Sequence, residues 1–238
     1  TMPKIQAKSI VLRILDNKNI DKRLDDLGLS QNIYEDLKDV LKFTQGLILI
    51  SGPTWSGKTT TLYSILKELN CDDKKIITVE DPIEYKIDSI NQVPINNKVG
   101  LSFELVLKNI LRQDPDIIFI GEIRDKFSLD IALQASLTGH LVLASIHSSS
   151  SVETITRLID LKADPFLIST TLKAVMAQRL VLAHCKSCEN GCKECNFTKF
   201  YDRTSIAEIL KIDEQISSLI FNKASFNELK EYLKNINF

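Results

Sequence analysis

The sequence predicts an α/β fold with a largely parallel sheet, on three observations. Short apolar runs at residues 47–50, 76–79, 117–120 and 141–144 alternate with stretches of helical periodicity, the order expected when strands buried on both faces are joined by crossover helices. The first run leads directly into Gly52-Pro53-Thr54-Trp55-Ser56-Gly57-Lys58-Thr59, after which Leu62, Ile65, Leu66 and Leu69 repeat at helical spacing. Two other runs end in acids, at Glu80-Asp81 and Gly121-Glu122. Parallel strands would deliver those acids to the same sheet edge as the glycine-rich loop, where open α/β sheets bind ligands.

Taken in order, the elements support that reading. Ile10-Val11-Leu12-Arg13-Ile14-Leu15 reads as a strand and the polar residues 16–22 as a linker. Because one strand is not stable alone, residues 1 to about 15 are expected to be the end of a domain missing from this chain. Ser30 is an expected N-cap for a helix burying Ile33, Leu37, Val40 and Leu41. Ser102 caps a helix with Phe103, Val106, Leu107, Ile110 and Leu111 on one face, and a helix near residues 128–137 stops at Gly139. Ser150 and Glu153 form an expected capping box for the helix bearing Val152, Ile155, Leu158 and Ile159, and Asp164-Pro165 opens the next. The parallel core should run to about residue 182. Cysteines and short helices follow, the last helix opened by Ser225 and Glu228.

Bulk composition excludes several classes. The 238 residues, 44% hydrophobic and 26% charged, are ordinary for a folded domain with a small appendage. A net charge of −1 gives no global field to attract nucleic acid or an anionic membrane. No apolar run approaches the roughly 18 residues a membrane span needs, and the N-terminus lacks a signal-peptide layout. A cytosolic chain is expected, or one bound to a membrane by a partner. Cys185, Cys188, Cys192 and Cys195 fall within eleven residues, which in a reducing compartment points to metal rather than disulfides. Cys71 stands apart and is expected to be a buried small hydrophobe.

The loop carries the clearest chemistry. Gly, four residues, then Gly-Lys-Thr between a strand and a helix is a phosphate-binding loop, since backbone N–H groups of a Gly-permissive turn and a helix N-terminus converge on phosphate oxygens. Gly52, Pro53, Thr54, Trp55, Ser56, Gly57, Lys58, Thr59 and Thr60 form the expected nucleotide set. Lys58 reaches the β- and γ-phosphates and the Thr59 hydroxyl binds Mg²⁺. The bland alternative is a Gly/Ser-rich turn arising by chance; the order of strand, loop and helix weighs against it. Glu122 is expected to hold a Mg²⁺-bound water, against a simple surface acid. Glu84 is the expected group that orients the attacking water, against a solvated turn around Pro82. His140 and His147 flank the strand starting at Leu141; either at such an end can contact a γ-phosphate, the alternative being a structural histidine.

Together, GPTWSGKTTTLY, ITVEDPIEY, RQDPDIIFIGEIRD and LTGHLVLASIH resemble the phosphate loop, Asp box, Walker B segment and His box of the secretion ATPases, the hexameric motors of type II secretion and type IV pilus assembly. The resemblance runs from VLRILD to AQRL. It implies a RecA-like core over residues 23–182, preceded in 1–22 by the final strand of an N-terminal domain and a linker, and followed in 183–238 by a tetracysteine module and C-terminal helices. It makes Glu84 the catalytic glutamate, Glu122 the Walker B residue and His147 the principal His-box residue, with Glu80 and His140 also contacting the cofactor. Assembly and export members carry a tetracysteine zinc module that retraction members generally lack, so the cysteines place this chain with the former. Two CxxC pairs can close a tetrahedral Zn²⁺ site, although only Glu189-Asn190-Gly191 separates them here. Free thiols or a metal-free hairpin are the alternatives. Trp55 stands where the family usually has Gly, a costly exchange if the backbone there has positive φ.

The implied function is ATP hydrolysis, with Mg²⁺ held by Thr59 and Glu122, that drives assembly of pilin-like subunits for secretion, pili or DNA uptake. The implied setting is a homo-hexamer, cytoplasmic and peripheral at the inner membrane through a platform protein, without direct nucleic-acid contact. A RecA-like DNA motor and a nucleotide-binding scaffold with weak catalysis are the competing classes.

Overall fold

Strands too apolar to have a wet face lie in the middle of the sheet. The computed structural model describes residues 22–236 and 238, with the backbone of 2–3 and 8–9. Seven strands, β1 (Gly46–Ser51), β2 (Ile76–Glu80), β3 (Asn91–Pro94), β4 (Ile117–Ile120), β5 (Leu141–Ile146), β6 (Leu172–His184) and β7 (Phe200–Lys211), form one sheet in the order β3-β2-β4-β5-β1-β6-β7. Every pairing is parallel except the last, where β7 runs antiparallel to β6. A two-residue ladder pairs Met2 with Ser9 and Pro3 with Lys8. The expected strand at 10–15 lies outside the described residues, as does the expected linker at 16–22 apart from Lys22.

Period-two alternation divides the core between two faces. Leu47 and Leu49 of β1, with Ile118, Ile120, Val142 and Ala144, enter one cluster. Helices α3 (Phe103–Ile110), α4 (Lys126–Leu137), α5 (Ser151–Asp160), α6 (Pro165–Thr171), α7 (Glu214–Phe221) and α8 (Phe226–Asn235) contribute to it. Ile48, Ile50, Phe119 and Leu143 enter the other, covered by α1 (Gln31–Val40) and α2 (Lys58–Leu69). The three-layer arrangement is what buried parallel strands require.

Local signals mostly act as expected, with informative exceptions. The Ser102 hydroxyl accepts from Leu105 N–H, Asp164 caps α6 with Pro165 behind it, and Ser225 with Glu228 forms a complete capping box. Ser30 occupies the N-cap position of α1 but makes no side-chain cap bond. Glu153 accepts from Ser149 N–H at 2.9 Å, one residue short of the expected box. Helix α4 starts two residues earlier than expected because Asp125 takes the cap, accepting from Ser128 N–H at 2.8 Å.

Three strands were not expected: β6, where the sequence reading gave only a core running to about residue 182, β3 and β7. β3 carries no long apolar run, and pairing with β2 makes it a strand. Residues 200–211 fall in the stretch expected to hold short helices after the cysteines, yet they form β7, because ten register pairs with β6 override the helical look of Ile206-Ala207-Glu208-Ile209-Leu210. Cys71, expected to be buried, is exposed: α2 ends at Leu69 and the extended backbone of Asn70 turns the chain toward solvent. Among the described residues no helix is long and apolar enough to cross a membrane.

Because Leu49 is fully buried at the centre of β1, Leu49→Ala is expected to destabilise the protein by about 2–5 kcal/mol, read from the urea unfolding midpoint. A loss under about 0.5 kcal/mol would mean this strand does not sit in a packed core.

Candidate functional site

The loop after β1 takes the shape its glycines permit. Gly52 has φ +151°, and a Cβ there would fall 2.4 Å from Ser56 Oγ and 2.5 Å from Gln178 O, so no other residue fits. Gly57, at φ +88°, is the N-cap of α2, which starts at Lys58 and points its free N–H groups back into the loop. Lys58 is 9% exposed. Its ammonium donates to Gly52 O at 2.7 Å and Pro53 O at 3.0 Å, and lies 3.4 Å from His147 Nδ1. Burial lowers the Lys58 pKa while the Glu122 charge pulls it back up. Ser56 Oγ and Gln178 Oε1, both deeply buried, have no hydrogen-bond partner. A buried cation whose ammonium is hydrogen-bonded to carbonyls of its own loop, beside helix N–H groups, suits a phosphate anion.

Strand register brings in the other charges. β4 and β5 pair Ile120 with Ala144, and Ile123 N–H donates to Ser145 O at 2.8 Å just beyond. Glu122 and His147 therefore emerge side by side, with His147 Nε2 3.1 Å from Glu122 Oε1. The other carboxylate oxygen accepts from Arg124 Nε at 2.6 Å. His147 thus lies between a donor on its Nδ1 side and an acceptor on its Nε2 side, which assigns the ring proton to Nε2. Lys58, His147, Glu122 and Arg124 form one continuous polar line.

That line opens into a cleft of about 740 Å³ whose walls include Thr54, Trp55, Thr59, Thr60, Glu84, Glu122, His147 and Arg203. Glu84 is half-buried, and its N–H donates to Tyr63 Oη at 3.2 Å. Glu80 also touches the cleft, but the residue is 3% exposed and its carboxylate already accepts from Tyr63 Oη, from Thr78 Oγ1 at 2.5 Å and from Gln92 Nε2 at 3.3 Å. The structure does not bring His140 to the site. It precedes β5 at the opposite sheet edge, where its Nδ1 lies 2.9 Å from Ala135 O.

A family profile described as Type II/IV secretion system protein matches residues 1–237. This chain belongs to that family. It is 42% identical over 240 residues to the type II secretion system protein HxcR of Pseudomonas aeruginosa, covering 97% of this chain and 51% of that protein. It is 38% identical over 260 residues to the type II secretion system ATPase E of Vibrio cholerae, covering 98% and 52%. The chain therefore spans about half the length of these relatives. Among solved structures, the pilus retraction motor PilT with bound ADP superposes at TM-score 0.73 and 30% identity, over 90% of this chain and 59% of that one. The ATPase DotB of Legionella pneumophila superposes at 0.69 and 27%, over 90% and 57%.

Three residues of this secretion-family site had escaped the sequence reading: Arg124, whose Nε donates to Glu122, Gln178 and Arg203. Gln178 of β6 donates to Ser56 O at 2.7 Å and so props the phosphate loop from below; the signal for it was a lone amide in the apolar run Ala174-Val175-Met176-Ala177. Arg203 reaches the cleft from β7, opposite Leu182. No local signal announces it, because its placement depends on an unexpected strand.

The four sulfurs of Cys185, Cys188, Cys192 and Cys195 lie within 4.8 Å of one another. Closest pairs are 3.6 Å (Cys188 with Cys195), 3.8 Å (Cys192 with Cys195) and 3.9 Å (Cys185 with Cys192). Ligands about 2.3 Å from a tetrahedral ion would be about 3.8 Å apart, so the set fits Zn²⁺ despite its three-residue spacer. The Cys192 N–H, 3.1 Å from Cys195 Sγ, lowers that thiol to about 6, whereas desolvation pushes Cys188 up to about 12.

Trp55 has φ +67°, in the left-handed region. An L-residue there costs roughly 1–2 kcal/mol, partly offset in a comparison with Gly by the larger unfolded-state entropy of Gly. Trp55→Gly is therefore expected to stabilise the ligand-free protein by about 1 kcal/mol, seen as a higher thermal midpoint. A lower midpoint would show that the indole contributes more than the strain removes.

Proposed function

We propose that this chain is the ATP-hydrolysing part of a motor that drives assembly of pilin-like subunits in type II secretion, type IV pilus biogenesis or DNA uptake. The observation carrying this reading is the unbroken polar line from Lys58 through His147 to Glu122, built where β1, β5 and β4 end together. Lys58 and the loop N–H groups bind the phosphates, and the Thr59 hydroxyl with Glu122 holds Mg²⁺, which when bound neutralises phosphate charge. Glu84, which lines the same cleft, orients water for attack. His147 shares Lys58 and Glu122, so any phosphate oxygen that takes hydrogen bonds from the lysine changes the partners of the histidine. Net charge near neutrality gives no support to a nucleic-acid motor.

The proposal extends to the setting: a homo-hexamer in the cytoplasm, peripheral at the inner membrane through a platform protein that passes motion to pilin-like subunits. Its support is the family and the likeness to solved secretion and pilus ATPases. The four thiolates hold a structural Zn²⁺ that ties the end of β6 to the start of β7.

Phosphate release with Mg-ATP tests the activity. Lys58→Met is expected to abolish nucleotide binding, while Glu84→Gln keeps binding and slows hydrolysis by about 10²-fold or more. Wild-type turnover in Glu84→Gln would sink the assignment of that glutamate. Protein purified without added zinc is expected to carry about one equivalent of Zn²⁺ per chain, absent in Cys188→Ser/Cys195→Ser; less than half an equivalent would count against the metal site.

A further inference from the structure

Between β2 and β3 the chain runs from Asp81 to Ile90 without regular structure, and this stretch carries Glu84. Four hydrogen bonds join its main chain to side chains. Glu84 N–H donates to Tyr63 Oη at 3.2 Å, Tyr85 O accepts from Gln92 Nε2 at 3.1 Å, Ile87 N–H donates to Gln92 Oε1 at 2.7 Å, and Asp88 O accepts from Asn70 Nδ2 at 3.0 Å. The two side chains flanking Glu84 along the stretch, Tyr63 and Gln92, both donate to the carboxylate of Glu80.

Each member is placed by a rigid element. Tyr63 is on α2, five residues after Lys58, fully buried, with its ring packed edge-on against Tyr85 at 4.5 Å and Phe119 at 6.2 Å. Burial and the neighbouring carboxylate raise its pKa, so the hydroxyl keeps its proton to donate. Glu80 ends β2 and is 3% exposed. A carboxylate that deep must be met by donors, and Tyr63, Thr78 and Gln92 supply three. With its oxygens so engaged, Glu80 serves as the anchor of the network rather than as a ligand of phosphate or metal.

We infer that Tyr63 is a positioning residue: its hydroxyl, fixed by Glu80, sets the height of Glu84 above the phosphate loop. The helix that grows from the loop thereby also places the water-orienting acid, so both halves of the site share one rigid reference. This rests on the assignment of Glu84 under the proposed function. Gln92 braces the same stretch from the far side through Tyr85 and Ile87.

Tyr63→Phe keeps the ring and deletes only the hydroxyl. The sole tryptophan, Trp55, stands exposed at the cleft, so its fluorescence is the readout chosen for Mg-ATP binding. Expected for Tyr63→Phe are a dissociation constant and KM within threefold of wild type and a kcat at least tenfold lower. Gln92→Met should lower kcat in the same direction without weakening binding. In the double variant Tyr63→Phe/Glu84→Gln, turnover should match Glu84→Gln alone, because a residue acting through Glu84 has nothing left to position. An unchanged kcat in Tyr63→Phe, a loss of affinity as large as the loss of rate, or additive losses in the double variant each overturn the inference. If Glu84→Gln itself turns over normally, the assignment of Glu84 has failed instead, and the single-variant result tells the two cases apart.

Discussion

Parallel register across the sheet is the constraint on which the site depends. Ile77, Ile118, Val142 and Leu47 lie in one row across β2, β4, β5 and β1, so the loops beyond these strands leave from nearly the same level. A slip of one residue would turn each side chain to the other face and move an acid by about 3.3 Å along the strand. The ladder even continues past the strand ends. Gly121 N–H donates to Val79 O at 2.9 Å, and Ser145 Oγ donates to Gly121 O at 2.5 Å. Glu122 is thereby held between two bonded neighbours, and a Cβ on Gly121 would already approach Val79 O to 3.1 Å.

Against this rigid frame, the loop itself is kept under electrostatic and steric tension. Lys58 is partly stripped of water and satisfied by carbonyls of its own loop, two buried oxygens nearby lack partners, and Trp55 sits in a left-handed conformation. None of these features favours the ligand-free fold. They concentrate at the residues that would meet an anion, the usual location of local conflict between stability and use.

The parts of the molecule legible in the sequence were those whose chemistry is local. Gly52, Gly57, Lys58 and Thr59 carry their geometry in their spacing, and the buried strands β1, β2, β4 and β5 announce themselves by continuous apolar runs. Asp164-Pro165 and the Ser225 box are equally self-contained. What escaped depends on distant partners. Glu80 and Glu84 look alike in sequence, yet one is sealed under Tyr63 and Gln92 while the other faces the cleft. His140 and His147 flank the same strand, and only strand direction separates the edge near Lys58 from the edge near Ala135. β7, and Arg203 with it, exists because β6 offers a free side to pair with.

The seating of Lys22 has a mechanical corollary. Its carbonyl accepts from Ser64 Oγ on α2 at 2.8 Å and its ammonium lies 3.7 Å from Asp202 on β7, while Leu24 and Leu27, the next turn along, are buried. One neutral hydrogen bond adds roughly 0.5–1.5 kcal/mol and one exposed ion pair about 0–1 kcal/mol, far less than extracting two leucines at roughly 1.5–3 kcal/mol each. A pull arriving at residue 22 would thus meet a fuse before it meets a weld. The polar clips would yield first, and the leucines would keep this turn seated on the helix that begins at Lys58.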